Sequence, residues 1–293
     1  FVYYSMFGMQ RIGDLVWLAG DMRVKGFMVG GTAGRTTLNG EGLQHEDGHS
    51  HLLAYPVPNL MAYDPAFAYE IAVIIRDGIR RMYVEQEDVF YYLTIENETY
   101  SMPAMPEGVE EGIVKGLYKF NQSKTKRAKL KAQLFGSGAI MNRVIEAQSI
   151  LEEQFNVATD VWSITSFKNL HRDALDIDRW NRMHPNDDKK YSYLEKTLKD
   201  EKGVFVIASD YVKALPESIA RWFPKAPVSL GTDGFGRSES REALRDFFEV
   251  DARFIVIGAL SALAEEGKIE KTIVIKAMAD FGIDPDKPNP VYN

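Results

Sequence analysis

Three of the five histidines, His45, His49 and His51, fall within the stretch 45–51. They belong to the segment Gly34-Arg-Thr-Thr-Leu-Asn-Gly40-Glu41-Gly42-Leu-Gln-His45-Glu-Asp-Gly48-His49-Ser-His51. Imidazole changes charge near neutral pH, so such a cluster suits proton transfer or metal binding. The four glycines let the backbone turn sharply or approach a ligand. A solvated polar loop is the plain alternative, but it leaves so many glycines beside so many histidines unexplained.

His45-Glu46-Asp47-Gly48-His49 fits H-E-x-x-H letter for letter. That pattern is a zinc site only when a helix puts both histidines on one face, with the glutamate as base. A helix through Gly40, Gly42 and Gly48 is unfavourable, since each glycine costs about 1 kcal/mol against alanine. An apolar helix beginning near Asp47 and running through Leu52-Leu53-Ala54 leaves His45 before its start. The zinc-hydrolase reading is therefore set aside, and no metal is assigned to these residues.

The elements that must position this loop alternate between strand and helix. Residues 1–20 read as helical, with Ile12, Leu15, Val16 and Ala19 on one side. Strands are expected at 27–30 and 60–63, a helix at 66–82 with Ala68, Ile71, Ala72 and Ile75 at helical spacing, and a strand at 89–95. The polar, basic run 121–131 is the expected domain boundary. Beyond it, strands are expected at 132–135, 161–164, 204–208 and 228–230, with helices at 139–155, 251–266 and 270–281. This alternation argues for parallel sheets covered on both faces. The glycines at 136, 138, 231, 234 and 236 meet neither dinucleotide nor P-loop spacing and read as tight turns.

Composition bounds the classes of function. Hydrophobic residues make up 45% of the 293 and charged residues 26%, ordinary values for a packed domain. The net charge of −7 argues against a nucleic-acid backbone as main partner. The absence of cysteine removes disulfides, thiolate nucleophiles and cysteine metal sites. No apolar run reaches membrane-spanning length, so no membrane partner is expected. The opening Phe1-Val-Tyr-Tyr lacks the basic flank and cleavage site of a signal peptide. A cytoplasmic location is expected.

The histidine segment, together with YYSMFGMQRIGDL at 3–15, YDPAFAYEIAVIIRDGIRRMY at 63–83, SMPAMPEGVEEGI at 101–113 and GTDGFGRSESREALR at 231–245, resembles the homodimeric bacterial pyruvate dehydrogenases. These are the thiamine-diphosphate decarboxylase components of the pyruvate dehydrogenase complex. The resemblance runs through the whole chain, yet family members are much longer and it covers only their C-terminal third. It implies that the ligands for magnesium and the diphosphate, and the glutamate that bonds the aminopyrimidine ring, lie upstream of Phe1. The chain is then a fragment or one piece of a larger molecule, expected to be inactive alone.

The resemblance also distributes roles. Phe7, which by sequence alone reads as core packing, is implied to stack on the aminopyrimidine ring, and Tyr4 to face the reacting carbon. Arg11 follows Phe7 by one helical turn and lies on the same face, with a surface ion pair to Asp14 as the alternative. His45 is implied to be the catalytic residue: the alkoxide that develops when the ketone of pyruvate is attacked must be stabilised or protonated. Glu41, four residues earlier, is placed to orient His45 or to favour its charged form. His49 and His51 match the family without an assigned role, and His171 and His184 read as structural or exposed.

The expected fold is α/β, two three-layer domains of the transketolase-like thiamine-diphosphate type. Residues 1–120 are expected to be part of the pyrimidine-binding domain and 126–293 a transketolase-type C-terminal domain. The expected activity is oxidative decarboxylation of pyruvate, with acetyl transfer to the lipoyl group of the acyltransferase component, by a homodimer. Two rivals are a transketolase-like aldehyde transfer and a non-catalytic dimerisation or interaction module.

Overall fold

The computed structural model describes residues 1–125 and 128–293. Lys126 and Arg127, inside the expected boundary stretch, lie outside the described residues. In chain order the first part contains β1 (Val2–Tyr4), α1 (Ser5–Arg11), α2 (Gly13–Asp21), β2 (Phe27–Gly31), α3 (Ser50–Ala54), β3 (Leu60–Tyr63), α4 (Ala68–Ile79), β4 (Phe90–Thr94) and α5 (Glu110–Lys115). The second contains β5 (Leu117–Asn121), β6 (Leu130–Gly136), α6 (Met141–Phe155), β7 (Val157–Ile164), α7 (Phe167–Met183), α8 (Tyr193–Leu198), β8 (Val204–Ala208), α9 (Ala214–Glu217), β9 (Val228–Leu230), α10 (Arg241–Phe247), α11 (Ala252–Glu265) and α12 (Lys271–Asp280).

The first sheet has the order β1-β2-β4-β3, all parallel. Every residue of β4, Phe-Tyr-Tyr-Leu-Thr, is buried, as befits a parallel strand covered on both faces. Its side chains alternate between two cores. Tyr91 and Leu93 join Met61, Tyr63, Val73 and Ile74 on one face. Phe90 and Tyr92 join Met9, Val16, Ala54 and Leu60 on the other. The helical reading of 1–20 fails at its start. Val2-Tyr3-Tyr4 pair in parallel with Val29-Gly30-Gly31, because aromatic and β-branched residues suit the pleated edge better than a helix. Helix follows, broken at Ile12 into α1 and α2.

The second sheet has the order β5-β7-β6-β8-β9, parallel except for β5, which runs antiparallel to β7. β5 therefore belongs to the second sheet although it precedes the 121–131 stretch. Helices α6 and α11 pack on one face through Val144, Leu151, Ile255 and Leu260. Leu170 and Ala174 of α7, Leu194 of α8 and Leu215 of α9 cover the other. The ends of these helices are set by local chemistry. Ser166 accepts from the Asn169 N–H at the start of α7, and Asp251 from Arg253 and Phe254 at the start of α11. Asn156 closes α6 in the left-handed conformation, with φ 51°.

Candidate active site

The expected site residues lie at the ends of β1 and β2. β1 delivers Tyr4 to the first residue before α1, and Phe7 and Arg11 follow on successive turns of that helix. β2 leads into the glycine-rich loop, whose one helical turn, Leu43–His45, is of the tight 3-10 type. That turn sets the His45 ring 5.0 Å from the Phe7 ring and 5.5 Å from the Tyr4 ring, centroid to centroid. Tyr4 and Phe7 meet edge to face at 5.8 Å, the arrangement aromatic quadrupoles favour. The Arg11 guanidinium carbon lies 4.2 Å from the Phe7 centroid, within cation–π range. Among the described residues Arg11 has no ion pair, and the break at Ile12 separates it from Asp14.

Glu41 Oε2 stands 3.1 Å from His45 Nδ1. The contact is close enough for an ion pair but off the line of a hydrogen bond, since Nδ1 has no hydrogen-bond partner. The fold thus gathers all five expected site residues, Tyr4, Phe7, Arg11, Glu41 and His45, into one cluster. Tyr4 is 49% exposed, so the cluster is an open face and not a closed cavity. A concavity of about 460 Å³, lined among others by Arg76, Asp77, Glu110 and Lys115, lies elsewhere and has balanced charges.

His45 and His49 do not share a helix. His45 ends the 3-10 turn, whereas His49 stands just before α3, and the Asp47 carboxylate accepts from the His49 and Ser50 N–H groups at 3.1 and 2.9 Å. The geometry that H-E-x-x-H requires of a zinc site is not formed. His49 contacts the Gln10 side chain. His51 is buried, 3.0 Å from Thr94 Oγ1 and edge-on to Tyr211, and burial holds its pKa down. His171 packs between Tyr55 and Trp222, and His184 stacks on Trp180.

Beneath the loop lies a buried charged seam, of which a sequence motif marks only Glu46, the glutamate of H-E-x-x-H. Arg35 of the loop donates to the carbonyls of Thr232 and Gly234 in the second domain. Asp210 accepts from the Thr36 N–H, and Arg245 pairs with Glu98. Burial pushes Asp210 up to about 7, and Glu46 likewise to about 7. Asp64 bonds the Thr94 and Tyr211 hydroxyls, and burial raises Glu96 well above its usual range. These groups come from separate loops, strand ends and the helix α10, so only folding brings them together.

Two helix-covered sheets, the first parallel and the second parallel but for β5, define a transketolase-type α/β protein. The transketolase of Campylobacter jejuni aligns with a TM-score of 0.66 at 18% identity, over 89% of this chain and 35% of that one, which is a likeness of fold. The family described as "Pyruvate dehydrogenase E1 component middle domain" matches residues 1–103, and "Transketolase-like TK C-terminal domain" matches 116–251. The "Pyruvate dehydrogenase E1 component" of Pseudomonas aeruginosa is 55% identical over 99% of this chain, and that of Escherichia coli K12 is 53% identical over 99%. The chain belongs to the pyruvate dehydrogenase E1 component family. It spans about a third of the length of these relatives, 33% and 32%.

Proposed function

We propose that this chain forms the half of a pyruvate dehydrogenase active site that stacks the cofactor ring and handles the proton. The activity of the whole is oxidative decarboxylation of pyruvate, with acetyl transfer to the lipoyl group of the acyltransferase component. The observation that carries this reading is the meeting of Tyr4, Phe7, Arg11, Glu41 and His45 on one open face.

The face fits a flat heteroaromatic ring. Phe7 and the half-exposed Tyr4 present aromatic surface, and offset stacking adds about 0.5–1.5 kcal/mol beyond area burial. His45 stands beside both rings, where it donates a proton or hydrogen bond to an oxygen that gains charge. Glu41 holds the imidazole from the other side. When bound, thiamine diphosphate supplies the nucleophile and the electron sink, while the protein supplies position and electrostatics. Among the described residues no cluster of three His, Asp or Glu stands ready for a metal. Magnesium and the diphosphate are proposed to be held by residues of the longer polypeptide outside this chain.

The expected domains, 1–120 as part of the pyrimidine-binding domain and 126–293 as the transketolase-type C-terminal domain, are carried forward with the boundary moved to about 116, since β5 pairs into the second sheet and the second family match begins there. A homodimer is proposed as well. Leu15, Trp17 and Met22 of the α2 region are 57%, 50% and 68% exposed, an apolar surface of the kind that marks an interface. No described helix is long and apolar enough to cross a membrane, and a cytoplasmic location is proposed. The test is reconstitution. The polypeptide extended to the relatives' full length should decarboxylate pyruvate with thiamine diphosphate and magnesium. Turnover of a ketose phosphate instead would replace this reading with aldehyde transfer.

A further inference from the structure

The turn that carries His45 is weakly held by its own segment. Glu41, Gly42, Leu43 and Gln44 are all exposed, and Gly40 and Gly42 give the backbone freedom to move. Beyond the Tyr4 and Phe7 rings, what holds the turn comes from the second domain. Glu46, next to His45, is fully buried. Its Oε2 accepts the Arg237 N–H at 2.5 Å, while Oε1 has no partner. Gly236 lies so close that an added Cβ would sit 2.5 Å from Glu46 Oε2 and 3.1 Å from the Leu43 Cα. The same strand of chain continues the seam. The Gly40 N–H donates to the Glu239 carbonyl at 3.1 Å. The Arg241 N–H donates to Asn39 Oδ1 at 3.1 Å and its Nε to the Thr37 carbonyl at 2.6 Å.

We propose that Glu46 is a positioning residue that ties the His45 turn to the 234–237 segment, so that the second domain sets where the imidazole stands over Phe7. Through this bond the buried Glu46 joins the exposed turn at 41–44 to the 234–237 segment. Glycine at 236 is required because the approach leaves no room for a side chain. The catalytic weight of this tie rests on the proposed role of His45. The tie itself does not.

The test therefore has two arms. In the 293-residue chain, nuclear magnetic resonance of the histidine rings reports the His45–Phe7 contact directly. Glu46→Ala and Gly236→Ala should shift the His45 ring signals and weaken the cross-ring Overhauser effect to Phe7. Glu46→Gln, which keeps an acceptor for the Arg237 N–H, should restore both. His184, stacked on Trp180, should stay unchanged as the internal control. Unmoved His45 signals in Glu46→Ala and Gly236→Ala would overturn the proposal. Should Glu46→Ala fail to fold, Gly236→Ala decides alone. In the full-length polypeptide, Gly236→Ala should lower kcat about tenfold, with KM for pyruvate and cofactor affinity unchanged. A loss confined to KM or to cofactor affinity would also count against positioning. If the ring signals move while His45→Ala turns over normally, the tie stands and the catalytic role of His45 falls.

Discussion

Phe7 and His45 stand 5.0 Å apart, ring to ring, although one lies on the helix after β1 and the other on the loop after β2. Parallel pairing of β1 with β2 is what brings them together, because both strands end at the same edge of the sheet. Ligands of open α/β sheets gather at such carboxyl edges.

The stacking role of Phe7 has a measurable consequence. Phe7→Ala in the full-length polypeptide should weaken thiamine diphosphate about tenfold, the scale of losing about 0.5–1.5 kcal/mol of stacking together with some apolar contact. Calorimetry checks it, and unchanged affinity would move the ring elsewhere.

The isolated 293-residue chain should not bind the cofactor at micromolar concentration, nor decarboxylate pyruvate above background. Stacking of about 0.5–1.5 kcal/mol does not replace a metal-bridged anion site. Tight binding in calorimetry would mean that a diphosphate site exists within this chain.

A buried lysine supplies a pH signature. Lys168 Nζ donates to the carbonyls of Ala54 and Val57 at 2.7 and 2.6 Å. Burial, reinforced by the nearby Arg172 charge, pushes its pKa down to about 7. Between about 7 and the usual lysine value near 10.4 the unfolded chain binds more protons than the folded one, so this group makes stability rise with pH across that window. Denaturant unfolding of wild type and Lys168→Met at pH 6.5 and 9 should show a rise in wild type that the variant lacks. Parallel curves would contradict it.

Asp210 works in the opposite sense. Its folded pKa of about 7, raised by burial against the lowering effect of Arg245, means that the folded chain binds more protons between about 4 and 7. Its contribution is therefore lost as pH rises through that window. Asp210→Asn should flatten the fall in stability from pH 5 to 7, and an unchanged slope would refute the assignment.

Much of this molecule is legible in its residues. The apolar runs at 60–63, 89–95 and 204–208 form strands buried on both faces, as continuous short apolar segments of a parallel sheet are, and the run at 27–30 forms a half-buried one. His45 stands out through its histidine- and glycine-rich segment and Glu41 through its spacing of four. The roles of Phe7 and Tyr4 rest on the resemblance, whereas Phe7 reads by sequence alone as core, and Arg11 is left between a shared face with Phe7 and an ion pair with Asp14. Residues 2–4 were misread because three residues carry no period of their own and sit against a helical pattern. α7 escapes detection because Phe167, Leu170 and Ala174 are set thinly among charges. The pairing of the Arg35 segment with Asp210 and Arg245 is not legible because these members are polar, unpatterned and far apart in the chain.

The zinc alternative has its own check. Elemental analysis of the purified chain should find no stoichiometric zinc, and a chelator should leave unfolding unchanged. Zinc held by His45 and His49 would restore the hydrolase reading.

The most direct measurement is His45→Ala in the full-length polypeptide, with acetyl transfer and cofactor binding followed on the same preparation. Proton handling by a positioned side chain contributes about 10²–10⁴-fold. Acetyl transfer should therefore slow by about 100-fold or more, while calorimetry shows thiamine diphosphate bound as in wild type. Normal turnover in this variant would contradict the assignment of His45.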